Sequence, residues 1–115
     1  MKNILKITCV ALFAITMNSC KKCKNEEPTA RIINNGTQKA SVQIKTSGGN
    51  TVNINNIMPS TSSAYSSYAA GQVTFTIDVQ NVNYVKTLMI ENCYSYDIAI
   101  DGNNNITTTS IDKNN

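Results

Sequence analysis

Between residues 73 and 79 the chain reads Val-Thr-Phe-Thr-Ile-Asp-Val, apolar and polar in strict alternation. Successive side chains of an extended strand point to opposite faces, so this period of two gathers Val73, Phe75, Ile77 and Val79 on one face and leaves the other to water. A helix would scatter the same residues around its axis. Residues 94–100, Tyr-Ser-Tyr-Asp-Ile-Ala-Ile, repeat the pattern with Tyr94, Tyr96, Ile98 and Ile100 on the inner face. Strands that are apolar on one side only must cover that side with a second layer, which confines the chain to a small set of packed-sheet architectures.

Weaker strands rich in Val, Ile, Thr and Tyr fall at 31–34, 40–46, 51–57, 63–68, 84–90 and 106–110, each bounded by Gly, Asn, Ser or Pro. That spacing, about eleven residues, is the one expected of a sandwich or a barrel. Asn35-Gly36, Gly48-Gly49 and Asp101-Gly102 reach positive φ at low cost and suit tight hairpins between consecutive strands. No helical period is visible beyond residue 19. The expected fold is therefore all-β, an antiparallel β-sandwich of about seven or eight short strands, with a barrel as the second choice. It is immunoglobulin-like in architecture only, because the chain has no Trp and no Cys pair at inter-sheet spacing.

The N-terminal residues obey a different rule. Lys2 and Lys6 precede an apolar run at 7–17, and Ser19-Cys20 closes it. A basic start, a short apolar stretch and a small residue at the end make a secretory signal, and the run is too short to span a bilayer as a permanent helix. Met17-Asn18-Ser19-Cys20 resembles the lipobox of bacterial lipoproteins, in which an apolar residue stands three places before an obligatory Cys. The resemblance implies that a signal helix at 1–19 is cleaved and that Cys20 becomes the lipid-bearing first residue of the mature protein. Several acyl chains hold a protein stably on a membrane where one chain alone does not. Residues 20–29 then read as lipidated Cys and polar tether, and residues 30–115 as the sandwich domain.

With Cys9 in the signal and Cys20 lipidated, Cys23 and Cys93 remain in a compartment that permits disulfides. A bond between them would contribute about 4 kcal/mol by constraining the unfolded chain; two free or partly buried thiols are the alternative.

Charge and composition exclude more than they identify. From Pro28 onward Arg31, Lys39, Lys45, Lys86 and Lys113 balance Asp78, Glu91, Asp97, Asp101 and Asp112, so no basic stripe is available for nucleic acid. The chain has no His, which removes the commonest general base and metal ligand and every Ser/His/Asp or Cys/His arrangement. Asp78 and Asp97 fall on the outward sides of their strands and read as solvated carboxylates. Asp101 to Asn105, with Asp112 farther on, has oxygen-bearing side chains at calcium-loop spacing. It has Ile106 where the loop needs Gly and Asp where it needs a bidentate Glu, so a hairpin turn is the better reading and no metal or other cofactor is expected. Residues 60–68 combine Ser and Thr hydroxyls with Tyr65 and Tyr68. Such a mixture can form a binding surface, and it can equally seal a sheet edge or a core margin.

The lipobox at Cys20, the spacer Lys21 to Glu27 and the Asn/Thr/Ser-rich strands together resemble small cell-envelope lipoproteins of the Bacteroidetes. The run Arg-Ile-Ile-Asn-Asn-Gly at 31–36, the Tyr65 segment, Ala70-Gly71 before Val73 and the strand from Tyr94 resemble an uncharacterised β-sandwich family found in such lipoproteins. The resemblance implies a lipid-anchored envelope location, in the outer membrane on either its periplasmic or its surface face, and brings no active site. The expected function is a noncatalytic module that binds a glycan or a protein partner through edge strands or loops opposite the tether. A structural part of a larger envelope complex is the alternative.

Overall fold

The computed structural model describes residues 23–114. The expected signal segment and Cys20 lie outside the described residues. Nine strands follow in order: β1 (Thr29–Asn35), β2 (Ala40–Lys45), β3 (Thr51–Ile57), β4 (Thr61–Ser62), β5 (Ser66–Ser67), β6 (Gly71–Val79), β7 (Val82–Ile90), β8 (Tyr94–Asp101) and β9 (Ile106–Asp112). Among the described residues there is no helix.

The strands form two sheets, one ordered β4-β1-β8-β9 with β5 also on β1, the other ordered β3-β2-β6-β7. The apolar faces meet as a β-sandwich. Val73, Phe75, Ile77 and Val79 of β6 and Val42 and Ile44 of β2 pack against Ile32 of β1 and Tyr96, Ile98 and Ile100 of β8. Each large side chain so enclosed contributes roughly 1.5–3 kcal/mol over its exposed state. Alternation thus fixes which face of every long strand is buried.

Pairing departs from the all-antiparallel expectation at one place. β1 runs parallel to β8, with Ile32 opposite Ile98 and Asn34 opposite Ile100. Parallel and antiparallel registers can bury the same alternate residues, so periodicity does not choose between them. The choice follows from where the chain crosses. Asn35-Gly36 does not close a hairpin; it begins a crossover that carries the chain from β1 in one sheet to β2 in the other.

Asn34 holds that crossover. It is 1% exposed, the one buried polar side chain among the described residues. Its Nδ2 donates to the carbonyls of Gln38 and Ile57, both at 2.8 Å, and its Oδ1 accepts the Gly36 N–H at 2.9 Å. One amide thereby ties the end of β1 to the crossover and to the end of β3.

The hairpins at 46–50 and 102–105 form where the glycine dipeptides predict them. A third has no glycine: Gln80 and Asn81, with φ of 53° and 64°, join β6 to β7 as a two-residue turn. Where Gly is required is Gly71, whose φ is 127° and where an added Cβ would lie 2.8 Å from the Ser47 Cβ.

The 63–68 strand expected from composition is broken in two. β4 and β5 each pair with β1 for two residues, and between them Ser63 keeps contact through its backbone N–H to the Ile32 carbonyl and its Oγ, which accepts the Ile32 N–H. Without an alternating apolar set, nothing draws the intervening Ala64 and Tyr65 into the sheet.

The register places the loops in two groups. Cys23, the 46–50 hairpin, residues 68–70, residues 91–93 and the C-terminal Lys113 gather at one end, the base. The crossover 35–39, residues 58–60, the Gln80-Asn81 turn and the 102–105 hairpin gather at the other, the tip.

Candidate functional site

At the base, Cys23 is joined to Cys93 by a disulfide with the Cα atoms 5.7 Å apart. The Cys93 N–H donates to the Glu26 carbonyl at 2.8 Å, the Lys113 N–H to the Cys93 carbonyl at 2.9 Å, and the Lys113 ammonium pairs with Glu26 at 2.6 Å. Pro28 is fully buried, and its carbonyl accepts the Tyr68 N–H. The segment expected to be a spacer is therefore docked on the fold from Cys23 onward. Its polar composition concealed this, because its attachment depends on a distant cysteine and on backbone groups.

Tyr65 and Tyr68, which the sequence offers either as a binding surface or as the seal of a sheet edge or core margin, are divided between outside and inside. Tyr68 is 5% exposed and belongs to the core, and burial raises its phenol pKa above the ordinary value. Tyr65 is 42% exposed on the outer face of the β1–β8 pair. Its hydroxyl donates to Asp97 at 2.6 Å and the Arg31 guanidinium lies 4.7 Å from its ring centroid. Arg31 also grips Asp97 by two bonds, Nε to Oδ1 at 2.9 Å and a second guanidinium nitrogen to Oδ2 at 3.3 Å.

These contacts set the titration of the cluster. The Arg31 hydrogen bond, aided by the Tyr65 hydroxyl and opposed by burial, holds the Asp97 carboxyl below the usual range. The bond that Tyr65 donates to Asp97, then burial and the carboxylate's charge, raise the phenol. The cluster closes the β1 edge over the gap between β4 and β5, and it has no free base or nucleophile.

Asp78 and Asp97 face outward as expected, but from different sheets and thus on opposite sides of the sandwich. The Asp101 Oδ1 accepts the N–H groups of Asn103 and Asn105, both at 2.9 Å, and so shapes its own turn. Among the described residues no three Asp, Glu or Cys side chains gather at metal-binding distance.

Among the described residues, three adjoining depressions run from the tip down one flank. A crevice of about 160 Å³ at the tip is lined by Asn34, Gly36, Thr37, Gln38, Gln80 and Asn104. A second of about 320 Å³ shares Gln38 and Gln80 with it and adds Lys39, Ser41, Asp78 and Asn81. A groove of about 280 Å³ shares Ser41 and Asp78 with the second and continues over the outer face of the β3-β2-β6-β7 sheet past Gln43, Asn53, Thr76 and Asn83. Alternation in β2 and β6 set Ser41, Gln43, Thr76 and Asp78 on the face away from the core. It gave no sign that three loops and a sheet face would join them, since the loops meet only after the chain has crossed between sheets. No protein-family model matches the chain, and no curated protein matches it.

Proposed function

We propose that the protein is a lipid-anchored, noncatalytic module of the cell envelope, held to a membrane through Cys20 and binding a glycan or protein partner at its tip. The observation that carries this reading is the docked base. With Cys23 bonded to Cys93, only Lys21 and Lys22 separate Cys20 from the residue tied to the sandwich, at most about 10 Å of chain. An acylated Cys20 would hold the base near the lipid surface and direct the polar concavity away from it. The lack of His in the chain and the separation of Asp78 from Asp97 by the thickness of the sandwich support binding over turnover.

Radiolabelled palmitate fed to the native host should enter the protein and be lost in Cys20→Ala. A photo-crosslinking residue at Thr37, at the tip, should yield a defined adduct in the same cells that one at Gly48, at the base, does not. Absence of label, or adducts from the base alone, would refute the proposal.

The alternative, a structural part of an envelope assembly, is favoured by β7. Among the described residues that strand is a sheet edge with Val85 and Met89 exposed on its outer side, the kind of edge to which another strand can add. Adducts from Val85 in place of Thr37 would support it.

A further inference from the structure

We infer that the concavity is one continuous track for an extended, neutral saccharide chain, and that Gln80 is the residue that grips the chain at the tip. The inference rests on the proposed binding role and names the ligand class and the gripping residue. The two crevices share Gln38 and Gln80, and the larger one shares Ser41 and Asp78 with the groove along the sheet. The three depressions thus follow one another as a path down the flank, a shape suited to a linear polymer.

The chemistry of the walls selects the polymer. Amide side chains such as Gln38, Gln43, Asn53, Gln80 and Asn83 both donate and accept hydrogen bonds, as do the hydroxyls of Ser41 and Thr76, and a sugar hydroxyl likewise does both. The charged groups offer no match to a strongly charged ligand. Asp78 and Asp101 already accept backbone N–H groups of their own turns, and Lys39 supplies the opposite sign.

Gln80 stands, with Gln38, where the two crevices meet. Two-residue hairpins with positive φ at both central positions are ordinarily built from Asn-Gly, Asp-Gly or Gly-Gly. Here a long, flexible glutamine is held at φ 53°, at the junction of both crevices. Seven non-glycine residues among those described carry positive φ, so it is the position of Gln80, lining both crevices, that marks it as the gripping residue.

The test measures binding of the detergent-solubilised chain, purified from its host, to immobilised neutral oligosaccharides (β-glucan, mannan, chitin and starch fragments of graded length) and to uronic-acid oligomers. At least one neutral series should bind, more tightly as the chain lengthens. Gln80→Gly should raise Tm by about 5 °C by relieving the turn and yet weaken binding at least tenfold. Asn53→Ala should weaken only the longer oligomers. A purely structural Gln80 would give the higher Tm with unchanged binding, which overturns the inference, as would preference for the uronic-acid series or binding to no saccharide. If Thr37 crosslinks in cells while no saccharide binds, the ligand class alone is wrong; if Thr37 yields no adduct either, the binding role falls as well.

Discussion

Replacing Asn34 should cost the protein a large share of its stability, although the side chain is polar and lies at the end of a strand. Its amide makes three hydrogen bonds inside the fold, and Asn34→Ala removes all three. The Ile57 carbonyl is buried, so leaving it without a donor carries a penalty of about 1–3 kcal/mol. The Gln38 carbonyl and the Gly36 N–H lie nearer the surface and lose about 0.5–1 kcal/mol each, since water can reach them. The total is about 3 kcal/mol, against the roughly 5–15 kcal/mol that holds a typical domain folded. Urea unfolding followed by far-ultraviolet circular dichroism should show the midpoint falling with the slope unchanged. At this size the corresponding drop in Tm is roughly 15 °C. Asn34→Asp refines the argument, because it keeps the acceptor for Gly36 and sets a second oxygen against the Ile57 carbonyl. Burial raises the folded pKa of the introduced carboxyl above its unfolded value near 4. Stability should therefore be higher below pH 4 and decline as the pH rises through the folded pKa, where the group must ionise in place. A loss under about 1 kcal/mol for Asn34→Ala, or a pH profile for Asn34→Asp indistinguishable from that of the parent, would refute the reasoning.

Cleaving the Cys23–Cys93 bond, by reductant or by Cys93→Ser, should destabilise the fold by about 4 kcal/mol, the value expected for closing a loop with a sequence separation of 70; non-reduced peptide mapping by mass spectrometry should recover the linked peptides, and free alkylation of both thiols would contradict the pairing. Tyr68→Ala should cost about 3 kcal/mol as a core deletion and Tyr65→Ala less than about 1, so equal losses in thermal unfolding would contradict the division between inside and outside. Asp97→Asn should bring the Tyr65 phenol down toward its ordinary pKa, read by absorbance in alkali, because the carboxylate it donates to is gone. In the parent protein the lowered Asp97 pKa supplies stability that is present above the unfolded carboxylate range and is lost as the pH falls through the folded value; Asp97→Asn should lack that loss in acid unfolding.

Period-two alternation in the sequence determined the class of fold and the inner face of β2, β6 and β8, because apolar side chains on one side of a strand leave no other way to avoid water. It also placed two of the hairpins, where glycine lowers the cost of positive φ. The sequence could not decide that β1 would lie parallel to β8, because either direction buries Ile32 and Ile98 equally well. Nor could it separate Tyr65 from Tyr68: both stand in the same Ser-rich run, and only the break between β4 and β5 turns one outward and the other into the core. The docked base and the polar track at the tip likewise belong to the tertiary structure alone. Each is assembled from residues far apart in the chain, and such neighbours are chosen by where the chain crosses between sheets, a choice that local hydrophobic pattern does not encode.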